Sequence, residues 1–117
     1  MLHLELPYPP SINHYFRHLG SKVVISRRGR AFRVRVWWLL RTMRVRPMTG
    51  ELAVVVDVFP PDRRRRDIDN VQKALLDALQ HGGLYEDDSQ IVKLDIERRG
   101  CVSRGRTIVR IQEARRA

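Results

Sequence analysis

Cysteine is almost absent from this chain of 117 residues, since Cys101 is the only one. A single cysteine excludes an intramolecular disulfide and a zinc site built from several cysteines. No hydrophobic run approaches the roughly 18 to 20 residues needed to cross a bilayer, and no signal peptide is recognisable. We therefore expect a soluble protein of the cytoplasm that has no contact with a membrane.

Acidic residues are scarce: 13 Asp and Glu stand against 23 Lys and Arg, which gives a formal net charge of +10. So large a charge on a small domain favours a polyanionic partner, nucleic acid before any other. A basic protein that binds no nucleic acid remains the alternative at this point. The length suffices for one ordinary core, so we predict a single domain over residues 1–117.

The hydrophobic pattern predicts an α+β fold, in which a mixed β-sheet carries about two α-helices. The predicted strands are Leu2–Leu6, Lys22–Ser26, Leu52–Phe59, Ile91–Glu97 and Thr107–Ile111. One helix is predicted over Arg27–Arg44, with Ser26 as its N-cap. A second is predicted over Asn70–His81, with Asp69 as its N-cap and a Gly-Gly pair after its end.

Two features of these strands can be checked against the structure. Alternation in Ile91–Glu97 predicts that Val92, Leu94 and Ile96 face the core. Asp57 interrupts an apolar strand, and an unpaired carboxylate is costly to bury. We therefore expect Asp57 at an exposed strand end or beside a cationic partner, from where it could support an acidic site in the next loop.

The densest charge lies in residues 60–73, which read PPDRRRRDIDNVQK. Asp67 and Asp69 would repel a polyanion unless a cation sat between them, whereas the preceding residues would attract one. Those preceding residues are Arg63, Arg64, Arg65 and Arg66. A basic rim beside an acidic pocket is what metal-dependent cleavage of nucleic acid requires.

Lys73 follows Asp69 by one helical turn and on the same face. There it could pair with the carboxylate, orient an attacking water or stabilise charge on a phosphate. The structural alternatives stay open, because Asp69 could simply cap the helix and form an ordinary surface ion pair with Lys73.

A second acidic pair, Asp87 and Asp88, precedes the strand that begins at Ile91. It would join Asp67 and Asp69 only if the sheet brings both loops to one edge. Three carboxylates in one pocket would raise one another's pKa unless a divalent cation compensated, and Mg²⁺ suits such oxygen ligands.

The segment after the first strand offers hydrogen-bond donors and cations in a short space. We predict DNA contacts from Asn13, His14 and Arg17. The neighbouring Tyr15 and Phe16 could stack on bases or could fill the edge of the core, and both interpretations remain open.

The runs RRRRDIDNVQKALLDAL and LYEDDSQI, with the opening PYPPSINHYFRH, resemble the RusA family of Holliday-junction resolvases of bacteria and their phages. The resemblance implies a Mg²⁺-dependent endonuclease, with Mn²⁺ as a substitute ion and no small-molecule cofactor. It places metal-binding carboxylates at Asp67, Asp69 and Asp88 and an essential lysine at Lys73. It also implies that Arg66 is the arginine that acts nearest the site.

The resemblance further implies a homodimer that cuts four-way DNA junctions at symmetric positions in recombination and repair. Two cuts related by a twofold axis suit the two sites of a C2 dimer. Two other functions stay open: a nuclease of the same chemistry that acts on other branched DNA, and a basic DNA-binding protein without catalysis.

Overall fold

A computed structural model describes residues 1–114, so the basic tail at Arg115 and Arg116 lies outside the described residues. In chain order the helices and strands are β1 (Leu2–Leu6), α1 (Ile12–Tyr15), β2 (Phe16–Leu19), β3 (Lys22–Ile25), α2 (Arg27–Thr42), β4 (Leu52–Phe59), α3 (Gln72–His81), β5 (Ile91–Arg98) and β6 (Arg106–Glu113). Two short 3₁₀ turns, Ile68–Asn70 and Asp88–Gln90, flank α3 along the chain.

Four strands form one sheet in the order β1-β6-β4-β5. β6 pairs antiparallel with both β1 and β4, while β4 pairs parallel with β5. The predicted mixed sheet of an α+β fold is therefore confirmed. Because α3 connects the parallel strands β4 and β5, this part of the chain is a β-α-β crossover.

The core lies between the sheet and the two longer helices. Alternate residues of β4 (Val54, Val56 and Val58) are buried in the same cluster as Phe32 of α2 and Leu75 of α3. This alternation follows from the two-residue period of a strand, which sends successive side chains to opposite faces. The predicted placement of β4 inside the sheet is confirmed.

α2 begins where the sequence predicts, since the Ser26 hydroxyl accepts a hydrogen bond from the Gly29 N–H at 2.9 Å. It ends at Thr42, two residues before the predicted end. Arg44 has a left-handed backbone with φ 55°, and the Val45 N–H donates to the Leu40 carbonyl oxygen at 3.1 Å. The chain thus leaves the helix in a left-handed C-terminal cap.

The predicted N-cap of α3 is wrong. Asp69 lies inside the 3₁₀ turn Ile68–Asn70, and Val71 occupies the N-cap position with no side-chain hydrogen bond. The chain enters α3 in two steps, so the carboxylate of Asp69 is not used to cap it. The predicted end is confirmed, because Gly83 adopts φ 86° and the Leu84 N–H donates to the Leu79 carbonyl oxygen.

The prediction that Val92 faces the core is also wrong, since its side chain is exposed. Leu52 pairs with Ile91 whereas Ala53 pairs with Lys93, so one residue of β5 is left over between them. This β-bulge shifts the alternation by one residue. Ile91 packs against the core in place of Val92, and the predicted inward placement of Leu94 and Ile96 is confirmed.

A hairpin of β2 and β3 stands apart from the main sheet. The sequence predicts β3 but not β2, because Phe16–Leu19 follows a proline-rich loop without clear alternation. Tyr15, just before β2, is fully buried, which favours a structural role for its ring.

One polar cluster, made of Tyr15 of α1, Arg33 of α2 and Asp77 of α3, joins the three helices. The Tyr15 hydroxyl donates to the Asp77 carboxylate, which also accepts from the Arg33 guanidinium at 2.5 and 2.9 Å. The side chains of Arg33 and Asp77 are only about a quarter exposed. Burial and the hydrogen bond to Asp77 raise the pKa of Tyr15, so the hydroxyl stays a donor at neutral pH.

No helix within residues 1–114 is both long and apolar enough to cross a membrane.

We expect Asp77→Ala to lower the free energy of unfolding by about 2 kcal/mol, because Tyr15 and Arg33 would lose their shared acceptor. Urea unfolding followed by circular dichroism measures this change. Asp95→Ala on β5 is the matched control, since that side chain is exposed, and we expect a change within about 0.5 kcal/mol. Equal unfolding midpoints for the two variants would contradict the assigned role of the cluster.

Candidate active site

The loop of four arginines is organised by Asp62, a residue that the sequence analysis did not single out. Its carboxylate accepts from the Arg64 backbone N–H at 2.9 Å and pairs with the Arg66 guanidinium at 2.7 Å. The hydrogen bond from Arg66, followed by the backbone N–H of Arg64, lowers the pKa of Asp62 to about 2. The sequence signal for this role of Asp62 was an Asp that begins a turn and precedes an Arg by four residues.

The four arginines consequently play different parts. The Arg66 side chain is 23% exposed and folds back onto Asp62, while the Arg64 side chain is 82% exposed. Arg63 and Arg65 are also exposed. Asp62 therefore holds Arg66 closely and Arg64 more loosely, at 3.6 Å, while Arg63 and Arg65 are presented to solvent.

The turn between β5 and β6 holds this loop from its backbone. The Arg98 guanidinium donates to the Arg66 carbonyl oxygen at 3.0 Å, and the Val102 N–H donates to the Pro60 carbonyl oxygen at 3.0 Å. Cys101 adds a contact from its Sγ to the Asp62 carbonyl oxygen at 3.0 Å. The position of the arginine loop is thus fixed by three neighbours that lie more than 30 residues away in sequence.

A groove of about 360 Å³ lies beside this loop. Its walls come from the proline-rich N-terminal segment, from α2 and from the arginine loop. The polar residues that line it are Tyr8, Ser11, His14, Arg28, Arg64, Arg65, Arg66, Asp67 and Asn70. One carboxylate and several cations therefore share a single concave surface.

The three N-terminal residues predicted to contact DNA differ in whether they line this groove. His14 lines the groove, and its Nδ1 lies 3.0 Å from the Ser11 hydroxyl. Asn13 on α1 and Arg17 on β2 are exposed but do not line it. The structure thus brings His14 into the groove beside the arginine loop, whereas the other two do not line it.

Asp67 and Asp69 are both exposed. Asp67 has an extended backbone and precedes the 3₁₀ turn, whereas Asp69 lies within it. Neither carboxylate takes part in a hydrogen bond or ion pair with the described residues 1–114. Both are therefore available to an external cation.

The second acidic pair separates into a structural and an available carboxylate. Asp87 caps the 3₁₀ turn Asp88–Gln90, accepting from the Ser89 N–H at 2.9 Å, and this bond lowers its pKa. The Asp88 carboxylate instead lies 3.9 Å from the Lys73 ammonium, with both side chains about half exposed. Asp88, rather than Asp87, is thus the member of the pair that lies beside the predicted lysine.

The segment before Asp88 is fixed against α3. The buried Tyr85 hydroxyl donates to the Leu76 carbonyl oxygen at 2.6 Å, and burial followed by the charge of Asp88 raises its pKa. The Gln80 side chain accepts from the Asp88 N–H at 3.1 Å. These contacts hold Asp88 alongside the helix that carries Lys73.

The meeting of Asp67, Asp69 and Asp88 in one pocket stays a prediction. β4 and β5 are parallel, so the loop after β4 and the loop before β5 lie at opposite ends of the strand pair. α3 runs back between these loops, and Lys73 in its first turn lies 3.9 Å from the Asp88 carboxylate. Within residues 1–114 no three His, Cys, Asp or Glu side chains are grouped closely enough to hold a metal ion.

The donor chemistry nevertheless suits Mg²⁺. That ion prefers carboxylate oxygens, retains several waters and commonly takes only one or two protein carboxylates together with substrate phosphate oxygens. Asp67 and Asp69 are two residues apart and free of protein partners within the described chain. Asp67 and Asp69 therefore match the one or two protein carboxylates that such a Mg²⁺ site requires.

Asp57 does not support this region. It is 8% exposed and pairs with Arg99 at 2.9 Å and with Arg110 at 3.0 Å. Strand alternation directs it away from the core face that contains Val56 and Val58. The expectation of a cationic partner is confirmed, and Asp57 is a structural ion-pair centre on the other face of the sheet.

Comparison with known proteins adds an independent line of evidence. A family model described as "Endodeoxyribonuclease RusA" matches residues 7–112. The chain is 41% identical over 111 residues to the "Crossover junction endodeoxyribonuclease rusA" of Enterobacteria phage HK97, covering 92% of this chain and 91% of that protein.

Two further relatives carry the same name. The protein of Enterobacteria phage 82 is 37% identical over 112 residues, with 95% of this chain and 93% of the relative covered. That of Escherichia coli (strain K12) is 34% identical over 111 residues, with 94% and 92% covered. Matches of this length in phage and bacterial proteins span the arginine loop, α3 and the Asp88 segment. The chain therefore belongs to the RusA family of endodeoxyribonucleases.

Proposed function

We propose that this protein resolves four-way DNA junctions by paired phosphodiester hydrolysis in recombination and repair. The observation that carries the proposal is the groove in which His14, Arg64 and Arg65 surround Asp67, in a chain similar to crossover junction endodeoxyribonucleases. In the reaction, water adds across a phosphodiester P–O bond. One new strand end keeps the phosphate, and the other becomes a hydroxyl.

Asp67, Asp69 and Asp88 supply carboxylates for a divalent cation, Mg²⁺ or its substitute Mn²⁺. When bound, such an ion generates a nucleophilic hydroxide and stabilises negative charge on the phosphoryl oxygens. Carboxylates of like charge repel one another unless a cation offsets the repulsion, so a divalent ion is needed for these three to share one site.

Lys73 contributes a cation that is not fully committed to a protein partner. Its ammonium lies 3.9 Å from Asp88, which is at the outer limit of an ion pair. A loosely held ammonium can transfer its hydrogen bonds to a phosphate oxygen as charge develops there. Asp88 thus positions Lys73 in addition to serving as a ligand.

The exposed arginines bind the DNA backbone at the rim of the groove. Arg63 and Arg65 are exposed and can approach phosphates, and so can Arg64, whose ion pair with Asp62 is loose at 3.6 Å. Arg66 keeps the turn in shape through Asp62. Asn13 and Arg17, which are exposed but do not line the groove, contact the DNA outside it. Phosphate contacts of this kind fix the register of DNA without reading its sequence.

The active protein is a homodimer. A four-way junction has to be cut on two strands related by twofold symmetry, and a C2 dimer presents two identical sites with that relation. One subunit is about 43 Å in its longest dimension, which leaves it too small to hold both cut positions with their arms.

Two related functions give different outcomes in one experiment. A nuclease of the same chemistry for other branched DNA would cleave forks or flaps as rapidly as junctions. A DNA-binding protein without catalysis would show salt-sensitive binding and no product with either Mg²⁺ or Mn²⁺. We favour catalysis because unpaired carboxylates beside the arginine loop would weaken a protein that only binds DNA.

We expect Asp67→Asn, Asp69→Asn and Asp88→Asn each to lower the rate of junction cleavage by at least a hundredfold while leaving junction affinity unchanged or higher. Each variant removes a negative charge that binds the cation and repels the phosphates of DNA. Single-turnover cleavage of a labelled four-way junction in Mg²⁺, together with binding in EDTA, measures both quantities. Lys73→Met should reduce the rate by a similar factor without raising affinity.

Asp87→Asn is the matched control for Asp88→Asn. The two residues are adjacent, but Asp87 caps a 3₁₀ turn and asparagine is an equally good cap. We expect this variant to keep most of the wild-type rate. Wild-type cleavage by the Asp67, Asp69 or Asp88 variant would remove that residue from the proposed set.

We expect wild-type protein to cleave a four-way junction faster than a fork or a linear duplex at equal salt, because two related sites have to engage two arms together. Mapping the cut positions on all four strands should give two symmetric cuts. Equal rates on all three substrates would point to the broader nuclease function.

We expect light scattering at micromolar concentration to give twice the mass of one chain. The measurement is made at about 0.15 M salt, because salt at this concentration screens the repulsion between two chains of charge +10. A monomeric mass both free and bound to a junction would contradict the dimer.

A further inference from the structure

A second groove adjoins the first on the surface. It encloses about 330 Å³ between the proline-rich segment, α2 and the turn that joins β5 to β6. The two grooves share Tyr8, Pro9, Pro10, Arg28 and Pro61, so they lie side by side on one surface.

This second groove is lined by cations and has no carboxylate. Its charged residues are Arg28, Arg35 and Arg104. Within residues 1–114 none of the three forms an ion pair. Arg33, which lies on α2 together with Arg28 and Arg35, differs from them because it pairs with Asp77 of α3. Three uncompensated guanidinium groups around one depression have a strong preference for an anionic ligand.

The backbone of Arg104 adds an independent observation. It has φ 67°, a left-handed conformation that favours glycine or asparagine over arginine. Gly105 follows with φ 72°, and a Cβ on it would lie 2.7 Å from the Tyr8 Cβ, so this turn packs directly on the proline-rich segment. An arginine is thus held in an unfavourable conformation at the wall of the groove, which is typical of a functional position.

We propose that Arg28, Arg35 and Arg104 form a second DNA-binding segment, which holds the phosphates of the strand that continues beyond the active-site groove. The inference rests on the proposed function and extends it to residues outside the arginine loop. Each guanidinium can donate two parallel hydrogen bonds to one phosphate. Because the two grooves share a wall that includes Arg28, a strand whose phosphate lies near Asp67 can run past Arg28 toward Arg35 and Arg104.

The test compares wild-type protein with Arg28→Gln, Arg35→Gln and Arg104→Gly, using a labelled four-way junction in EDTA over a range of salt concentrations. We expect weaker binding for each variant. The slope of log affinity against log salt should become shallower by about 0.9 for each lost phosphate contact. In Mg²⁺ the Arg35 and Arg104 variants should show a raised KM and an unchanged kcat, since these two residues lie outside the groove that contains Asp67.

Arg104→Gly separates a binding role from a structural one. Glycine relieves the left-handed backbone, so we expect a melting temperature equal to or above that of the wild type together with weaker junction binding. A melting temperature that falls in parallel with affinity would assign Arg104 to the fold and overturn its part in the proposal.

Arg44→Gly is the matched control. Arg44 is also an exposed arginine with a left-handed backbone, at φ 55°, but it lines neither groove. Its variant loses the same charge and the same backbone strain, and we expect a salt slope close to that of the wild type. An equal loss of affinity in Arg44→Gly and Arg104→Gly would show that net charge alone matters, which would overturn the proposal.

The two proposals fail in distinguishable ways. If the junction function is wrong, wild-type protein gives no symmetric cuts. If only the second segment is wrong, wild-type protein cuts the junction, and all three groove variants match it in affinity, salt slope and KM.

Discussion

Four consecutive arginines repel one another, and the geometry of the candidate site depends on how that repulsion is offset. Asp62 does most of this, since it neutralises Arg66 and fixes the Arg64 backbone. The β5–β6 turn then holds the loop through the carbonyl oxygens of Pro60, Asp62 and Arg66. Because these contacts hold the loop by its backbone, the side chains of Arg63, Arg64 and Arg65 stay exposed toward a ligand.

Much of the fold follows from local patterns in the sequence. Apolar alternation predicts β1 and β6, the apolar run predicts the central β4, and the Ser26 cap marks the start of α2. Each of these signals is local, so no knowledge of distant neighbours is needed. The short strand β2 lacks such a signal, because it is defined by its pairing with β3.

The parts of the site that were not predictable depend on long-range geometry. Whether Asp88 lies near Asp67 is decided by the parallel pairing of β4 and β5, which no local pattern of β5 reveals. The capping role of Asp87 and the proximity of Asp88 to Lys73 likewise depend on how the loop docks on α3. The residues themselves were predictable from the resemblance, whereas their arrangement required the fold.

The bulge at Val92 also affects how the protein behaves at high concentration. β5 is an edge strand, and an unbroken edge offers its backbone groups to the edge of another molecule. The leftover residue interrupts that row, and Lys93, Asp95 and Glu97 place charges along it. Molecules concentrated side by side on one DNA are thereby discouraged from joining their sheets into aggregates.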